Sequence, residues 1–272
     1  MNLLIAIVDQ TRRLTPGERR RMQRVAQQNA VDCASAWGKE PPLVTVFDDL
    51  DKVPRERPCN PVMIVDGTED PTTLGYHFVS PFWGPASRAS LETASGILDG
   101  DESLCETVCH EVLEILCDPF VNLWMDGPAP SYLEPGEDWG DGWQYALEVC
   151  DAVQTTYPVK LWGLTGVSEA KAANFVTPAW FDSVMAQNQG AIDTWRATGR
   201  GFDHAGQLKR PFAIGPHGYA PVRNLRTKKV TPRYFSARWS GHVAQRPRVL
   251  PEAKLKTKRH PWARSARRGT EW

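Results

Sequence analysis

No apolar stretch in these 272 residues is long enough to cross a membrane. The run Leu3 to Val8 is too short, and no basic residue precedes it, so it does not read as a signal peptide. A cytoplasmic product of the producing cell is the expectation. None of the six cysteines (Cys33, Cys59, Cys105, Cys109, Cys117, Cys150) forms a C-x-x-C pair, which removes the usual redox and zinc-ribbon patterns. No Walker loop is present, and no G-x-G-x-x-G follows the first strand, so nothing marks a phosphate cradle. Gly-x-Ser-x-Gly is missing too, which argues against a serine-hydrolase elbow. There is no internal repeat. Reduced thiols are the default without a secretory signal. Cys105 and Cys109 lie four apart, a spacing that suits a soft metal, but buried cysteine serves more often as a small hydrophobe. A Cys117–Cys150 bridge stays open. Cys109 and His110 are not a catalytic dyad, because adjacent helix residues diverge by about 100°.

Net charge is zero, yet it is unevenly spread. Residues 200–272 carry 18 Lys and Arg against 3 acids, a net of +15, and residues 1–199 carry 14 against 29, a net of −15. Beyond Gly199, prolines 211, 216, 221, 232, 247, 251 and 261 recur without an apolar period. Aromatics (Tyr219, Tyr234, Phe235, Trp239, Trp262, Trp272) stand among Lys and Arg. This composition does not suit a core of its own. Two regions are therefore expected: a folded domain over 1–199 and a basic, proline-rich extended arm over 200–272. The arm suits docking on neighbouring protein subunits. Single-stranded nucleic acid is a weaker reading.

Within the first region, residues 2–8, 43–47 and 61–65 read as buried strands. Thr15-Pro16 starts a helix that buries Met22, Val25, Ala26, Ala30, Ala34 and Trp37, and Gly38 stops it. Strand–helix–strand order predicts an α/β fold with a parallel pair in a small mixed sheet. An edge strand is expected within 84–98. Ser103-x-x-Glu106 is a capping box for the next helix, whose core stripe is Leu104, Val108, Val112 and Leu116. Pro119 ends it. Residues 122–143 read as an ordered loop and 144–153 as a short helix or turn. Residues 159–163 and 174–176 are strand candidates, and 184–198 a last helix.

The second helix carries the chemistry. His110-Glu111-x-x-Glu114 is a near relative of the His-Glu-x-x-His zinc signature. Residues four apart on a helix lie one above the other, so His110 and Glu114 reach one cation. Glu111, about 100° around, stands beside that cation. That is where a metallohydrolase keeps the base that deprotonates the attacking water. Asp118 shares the face but lies about 12 Å further along the axis, better placed for capping or for a second cation. Glu148 and Asp151, on a separate element, are the preferred further ligands. His77 is another option, although a histidine after Tyr76 reads first as a packed side chain. One imidazole with several carboxylates is a hard donor set: zinc comes first, and calcium or manganese also suit it. The bland alternative is a solvated helix face.

Four stretches occur in a set order. They are Gly75-Tyr76-His77, His110-Glu111-Val112-Leu113-Glu114 with Asp118-Pro119, Glu148-Val149-Cys150-Asp151, and Asn174-Phe175-Val176-Thr177-Pro178-Ala179-Trp180-Phe181. Together they resemble a largely uncharacterised group of bacterial and phage proteins with a zincin-like His-Glu-hydrophobic-x-Glu helix followed by Asp-Pro. The resemblance covers about residues 1–183. It implies a zincin-like α+β domain related to metallopeptidases, with His110 and Glu114 as ligands and Glu111 as base. The helix departs from zincin peptidases in Glu114, where they carry a second histidine. With the basic arm, the expectation for the chain is a virion-associated or assembly protein of a phage or prophage, built on a metal-binding domain. An active metal-dependent peptidase is the alternative.

Overall fold

Strand β1 (Leu4–Asp9) is buried along its whole length, which a strand achieves only when both sheet faces are covered. It lies inside a five-stranded sheet of order β2-β1-β3-β5-β4, and its side chains divide between two sides. Ile5 and Ile7 enter the main core, while Leu4, Ala6 and Val8 join Val53 and Cys59 on the opposite face. The computed structural model describes residues 3–235, apart from 56–57, 101 and 164–165.

β2 (Leu43–Phe47) and β3 (Cys59–Val65) flank β1 in parallel register, Ile5 facing Val44 on one side and Asn60 on the other. The parallel crossover from β1 to β2 is made by α1 (Pro16–Trp37). Its start is the complete Thr15/Glu18 capping box, and it stops at Gly38 in the left-handed region, φ +62°. The α/β class and the mixed sheet follow the sequence-based expectation.

β5 (Gly84–Ser90) is an interior strand, not the edge strand expected from 84–98. It runs parallel to β3 and antiparallel to β4 (Gly75–Ser80), which forms the edge. Its buried small residues, Ala86, Ser87, Ala89 and Ser90, explain both the weak strand signal and the position. They let α2 (Leu104–Cys117) pack closely over the sheet, against α1. Ser103 caps α2 by accepting the Glu106 N–H at 3.2 Å. The reciprocal half of the box shifts by one residue, since the Glu106 carboxylate takes the Glu102 N–H instead.

A second, antiparallel sheet of order β11-β10-β7-β6 joins β6 (Trp124–Gly127), β7 (Trp143–Ala146), β10 (Tyr219–Asn224) and β11 (Val230–Tyr234). A hairpin of β8 (Thr156–Gly163) and β9 (Gly166–Ala173) packs on α1 and α2. Residues 174–176 are not a strand: Val176 makes only an isolated bridge to Asp203. The expected helix over 184–198 is two, α3 (Ser183–Ala186) and α4 (Gln189–Ala197), because Asn188 turns out of the helix and caps the second.

The largest difference lies past Gly199. Residues 200–235 belong to the folded body, not to an arm. Phe202, Leu208, Ala220 and Val222 are in the main core, and β10 pairs with β7. The proline content misled here for a local reason. Pro221 faces Pro232 and lies just before the β7 pairing begins at Val222, so it removes no ladder bond there. The rest of the arm expected over 200–272, residues 236–272, lies outside the described residues. Among the described residues no helix is long and apolar enough to cross a membrane.

All six cysteines are buried and free. Cys117 Sγ lies 3.8 Å from Cys33 Sγ, while Cys150 Sγ lies 3.9 Å from the His110 carbonyl oxygen. The thiol facing Cys117 is thus Cys33. Because Phe202 is fully buried, Phe202→Ala is expected to lower the unfolding free energy by about 3–5 kcal/mol in urea denaturation. A change below about 1 kcal/mol would show that this segment adds nothing to the core.

Candidate metal centre

Helix α2 is buried nearly all round. Its apolar stripe faces the core as the pattern predicts, but the opposite face is not solvated. Glu111 is 2% exposed and Glu114 3%. Two carboxylates one turn apart cannot stay in such a place without cationic partners. The partners are His110 on the same helix and His77 on β4.

Glu114 is the centre. Its Oε1 stands 2.9 Å from His110 Nε2, and its Oε2 stands 3.1 Å from His77 Nδ1. His77 enters from the edge strand β4, and its other nitrogen, Nε2, lies 3.6 Å from Glu148 Oε2. His110 Nε2 is also 3.3 Å from Asp151 Oδ1. Two groups of donor atoms, His77–Glu114–Glu148 and His110–Glu111–Glu114, each fall within 4.8 Å, and they share Glu114. Of the residues read from the sequence, His110, Glu111, Glu114, Glu148 and Asp151 come together. His77, first read as a packed histidine, is a full member.

Asp118 is buried beside this cluster but turned to another task. Its carboxylate accepts the backbone N–H groups of Asn122 at 3.2 Å and Leu123 at 2.9 Å, which fixes the loop after α2. It belongs to neither donor group, although its charge is felt at Glu148.

Glu148 and Asp151 sit on the turn after β7, where the Val153 and Gln154 N–H groups both bond the Cys150 carbonyl. Residues 215–219 clamp this turn: Gly215 N–H donates to Ala152 O at 2.7 Å and Tyr219 N–H to Asp151 O at 2.8 Å. The approach is so close that a Cβ on Gly218 would lie 2.2 Å from Ala152 O. The Tyr219 phenol then donates to the Asp151 carboxylate. Sequence reasoning missed Tyr219 because it was assigned to the arm. The available signal was the glycine pair 215 and 218 just ahead of it. Gly75 has a similar role on β4, where a Cβ would meet Glu111 Oε1 at 2.6 Å and Thr107 Cγ2 at 2.8 Å.

The electrostatics follow from burial. Burial alone would strip His77 of its proton, but the Glu148 and Glu114 carboxylates overcome it and hold its pKa up at about 10. His110 is raised in the same way, against burial, with Glu114 the chief cause. Burial pushes Glu114 up too, yet the two histidines win and bring it down to about 2. For Glu111 the same histidines are outweighed: burial first, then the Glu114 charge, lift it to about 8. Burial likewise raises Glu148 and Asp151. Five atoms pointing into the cluster, His77 Nε2, Glu111 Oε2, Glu114 Oε1, Glu148 Oε2 and Asp151 Oδ1, are buried without a hydrogen-bond partner. Such atoms are costly unless something else satisfies them. Such a set of imidazole nitrogens and carboxylate oxygens fits a divalent cation. The groups able to hold a cation among the described residues contain no cysteine.

No protein-family model, no curated protein and no solved structure matches this chain.

Without metal, these shifted groups make the stability of the fold depend on pH. The raised His77 stabilises the fold fully below pH 6.5, and that contribution is lost as pH climbs through about 10. A Glu111 raised to about 8 resists ionisation in the fold, so it too costs stability as pH rises from 4.5 to 8. The melting temperature in chelator is expected to fall from pH 6.5 to 10, and saturating Zn²⁺ or Mn²⁺ to flatten that slope. An unchanged slope with metal would show that the cation does not engage these groups.

Proposed function

We propose that the chain is a metal-dependent hydrolase built on a zincin-like domain. The observation that carries this reading is the convergence of His110 and Glu114 with Glu111, among buried polar atoms that make no hydrogen bond. His110, Glu114 and Asp151 would hold the cation, and the Tyr219 phenol would orient the Asp151 carboxylate. A bound divalent cation supplies Lewis acidity to the bond being cleaved. Glu111 is a base lifted toward neutrality, within 4.8 Å of the His110 and Glu114 donor atoms. It takes the proton of the attacking water and returns it to the leaving group. Peptide bonds are the substrate class that the resemblance of the His-Glu-x-x-Glu helix brings. Zinc is the first choice of metal, and the carboxylate-rich set also suits manganese or calcium.

Purified protein is expected to carry bound divalent metal, and His110→Ala to lose affinity for it. Glu111→Gln is expected to keep the metal while hydrolysis of an unstructured protein substrate falls by about 10²–10⁴-fold. Full metal content in the His110→Ala protein would end the proposal. Full activity in Glu111→Gln would end the role given to Glu111.

A second reading concerns the chain in its setting, and one observation favours it. Residues 236–272 hold 10 Lys and Arg against 2 acids, a net of +8, so residues 1–235 carry −8. Opposite charges on two parts of one chain suit contacts between copies, as in a phage or prophage particle where this domain is a component. Sedimentation at low salt is expected to show assemblies of the full chain that dissolve at high salt and are lost when the chain ends at 235. A monomer under all conditions would remove this reading. Salt-sensitive retention of single-stranded nucleic acid by the monomer would favour the nucleic-acid role instead.

A further inference from the structure

The two donor groups share one residue, and they share it through different atoms. Glu114 Oε1 faces His110, and Glu114 Oε2 faces His77. Each imidazole has its own second carboxylate: Asp151 at 3.3 Å from His110 and Glu148 at 3.6 Å from His77. The cluster is thus two half-sites hinged on a single carboxylate. We propose that it binds a pair of divalent cations bridged by Glu114, one held by His110 and Asp151, the other by His77 and Glu148. This rests on the reading above that His110 and Glu114 hold a cation, and extends it to a second ion.

Three observations support a pair over a single ion. The first is reach. One cation between His110 and Glu114 Oε1 leaves His77 Nε2 and Glu148 Oε2 buried, 3.6 Å apart and without a hydrogen bond. A second cation between those two atoms, with Glu114 in the same donor group, satisfies them. The second is charge. Glu111, Glu114, Glu148 and Asp151 bring four carboxyl groups into the cluster, with His77 and His110 as its ion-pairing partners. With all four ionised and the imidazoles neutral, one divalent ion leaves two charges uncompensated, whereas two ions cancel all four. The third is the bridge itself. A carboxylate with one oxygen on each metal places the two ions about 3.5–4 Å apart, the spacing of two-metal hydrolytic centres. The second ion would also change the chemistry, because a pair clamps both the attacking and the departing atom of the substrate.

The full chain, stripped with chelator and refilled with Mn²⁺, tests this. Elemental analysis after dialysis should give two ions per chain, and electron paramagnetic resonance should show an exchange-coupled pair. His77→Ala and His110→Ala should each keep one ion and lose the coupling signal. The wild-type spectrum needs no variant to fold, so the coupling decides by itself. One ion per chain, kept in His77→Ala and lost in His110→Ala, would overturn the pair while leaving the single-metal hydrolase intact. Two ions without coupling would overturn the bridge. No bound ion at all would overturn both this inference and the hydrolase reading beneath it.

Discussion

Glu114 is held between two imidazoles, with His110 on one oxygen and His77 on the other. A carboxylate in the interior of a helix packed on both faces would be excluded by desolvation alone. The two histidines reverse that balance, and the carboxyl stays ionised. Everything else in the cluster responds to this one charge. Glu111 and Asp151 are lifted partly by it, His110 is raised by it, and Tyr219 is raised partly by it, after burial and Asp151. The cluster is an interior polar network, and its worth depends on every member being satisfied.

The fold serves this arrangement by bringing backbones close. Small residues on β5 let α2 sit low over the sheet, and Gly75 on β4 leaves room for the Glu111 carboxylate. His77 reaches Glu114 because the same edge strand passes beside the helix. On the other side, the turn carrying Glu148 and Asp151 is pinned by backbone hydrogen bonds from residues 215–219. The donor atoms are therefore placed by regular elements and clamped turns, which fixes geometry better than an open loop would.

Local patterns in the sequence were legible where the physics is local. The continuous apolar run of β1, the Thr15 box, the Gly38 stop and the stripe of α2 each follow from neighbours within a turn or two. His110, Glu111 and Glu114 were visible for the same reason, as one helix period. What was not legible depends on distant pairing. Beyond the glycines at 215 and 218, nothing near Tyr219 announces that β10 pairs with β7, or that its phenol meets Asp151. β9, with three Ala, a Glu and a Lys among its eight residues, is a strand because β8 lies beside it. The burial of the polar face of α2 was likewise hidden, since β4 and the 148–151 turn cover it from far along the chain. His77 looked like an ordinary packed histidine because its partners, Glu114 and Glu148, lie on other elements.

The clamp of residues 215–219 on the Asp151 turn ties competence to the order of synthesis. A growing chain that has emerged only through α2 already contains His77, His110 and Glu114, but not the strand that fastens the opposite wall. Contacts this far apart in sequence close late, after the loop entropy between them has been overcome. The nascent protein therefore passes most of its translation without a finished centre. Its last wall is fastened only when nearly the whole described body has been made.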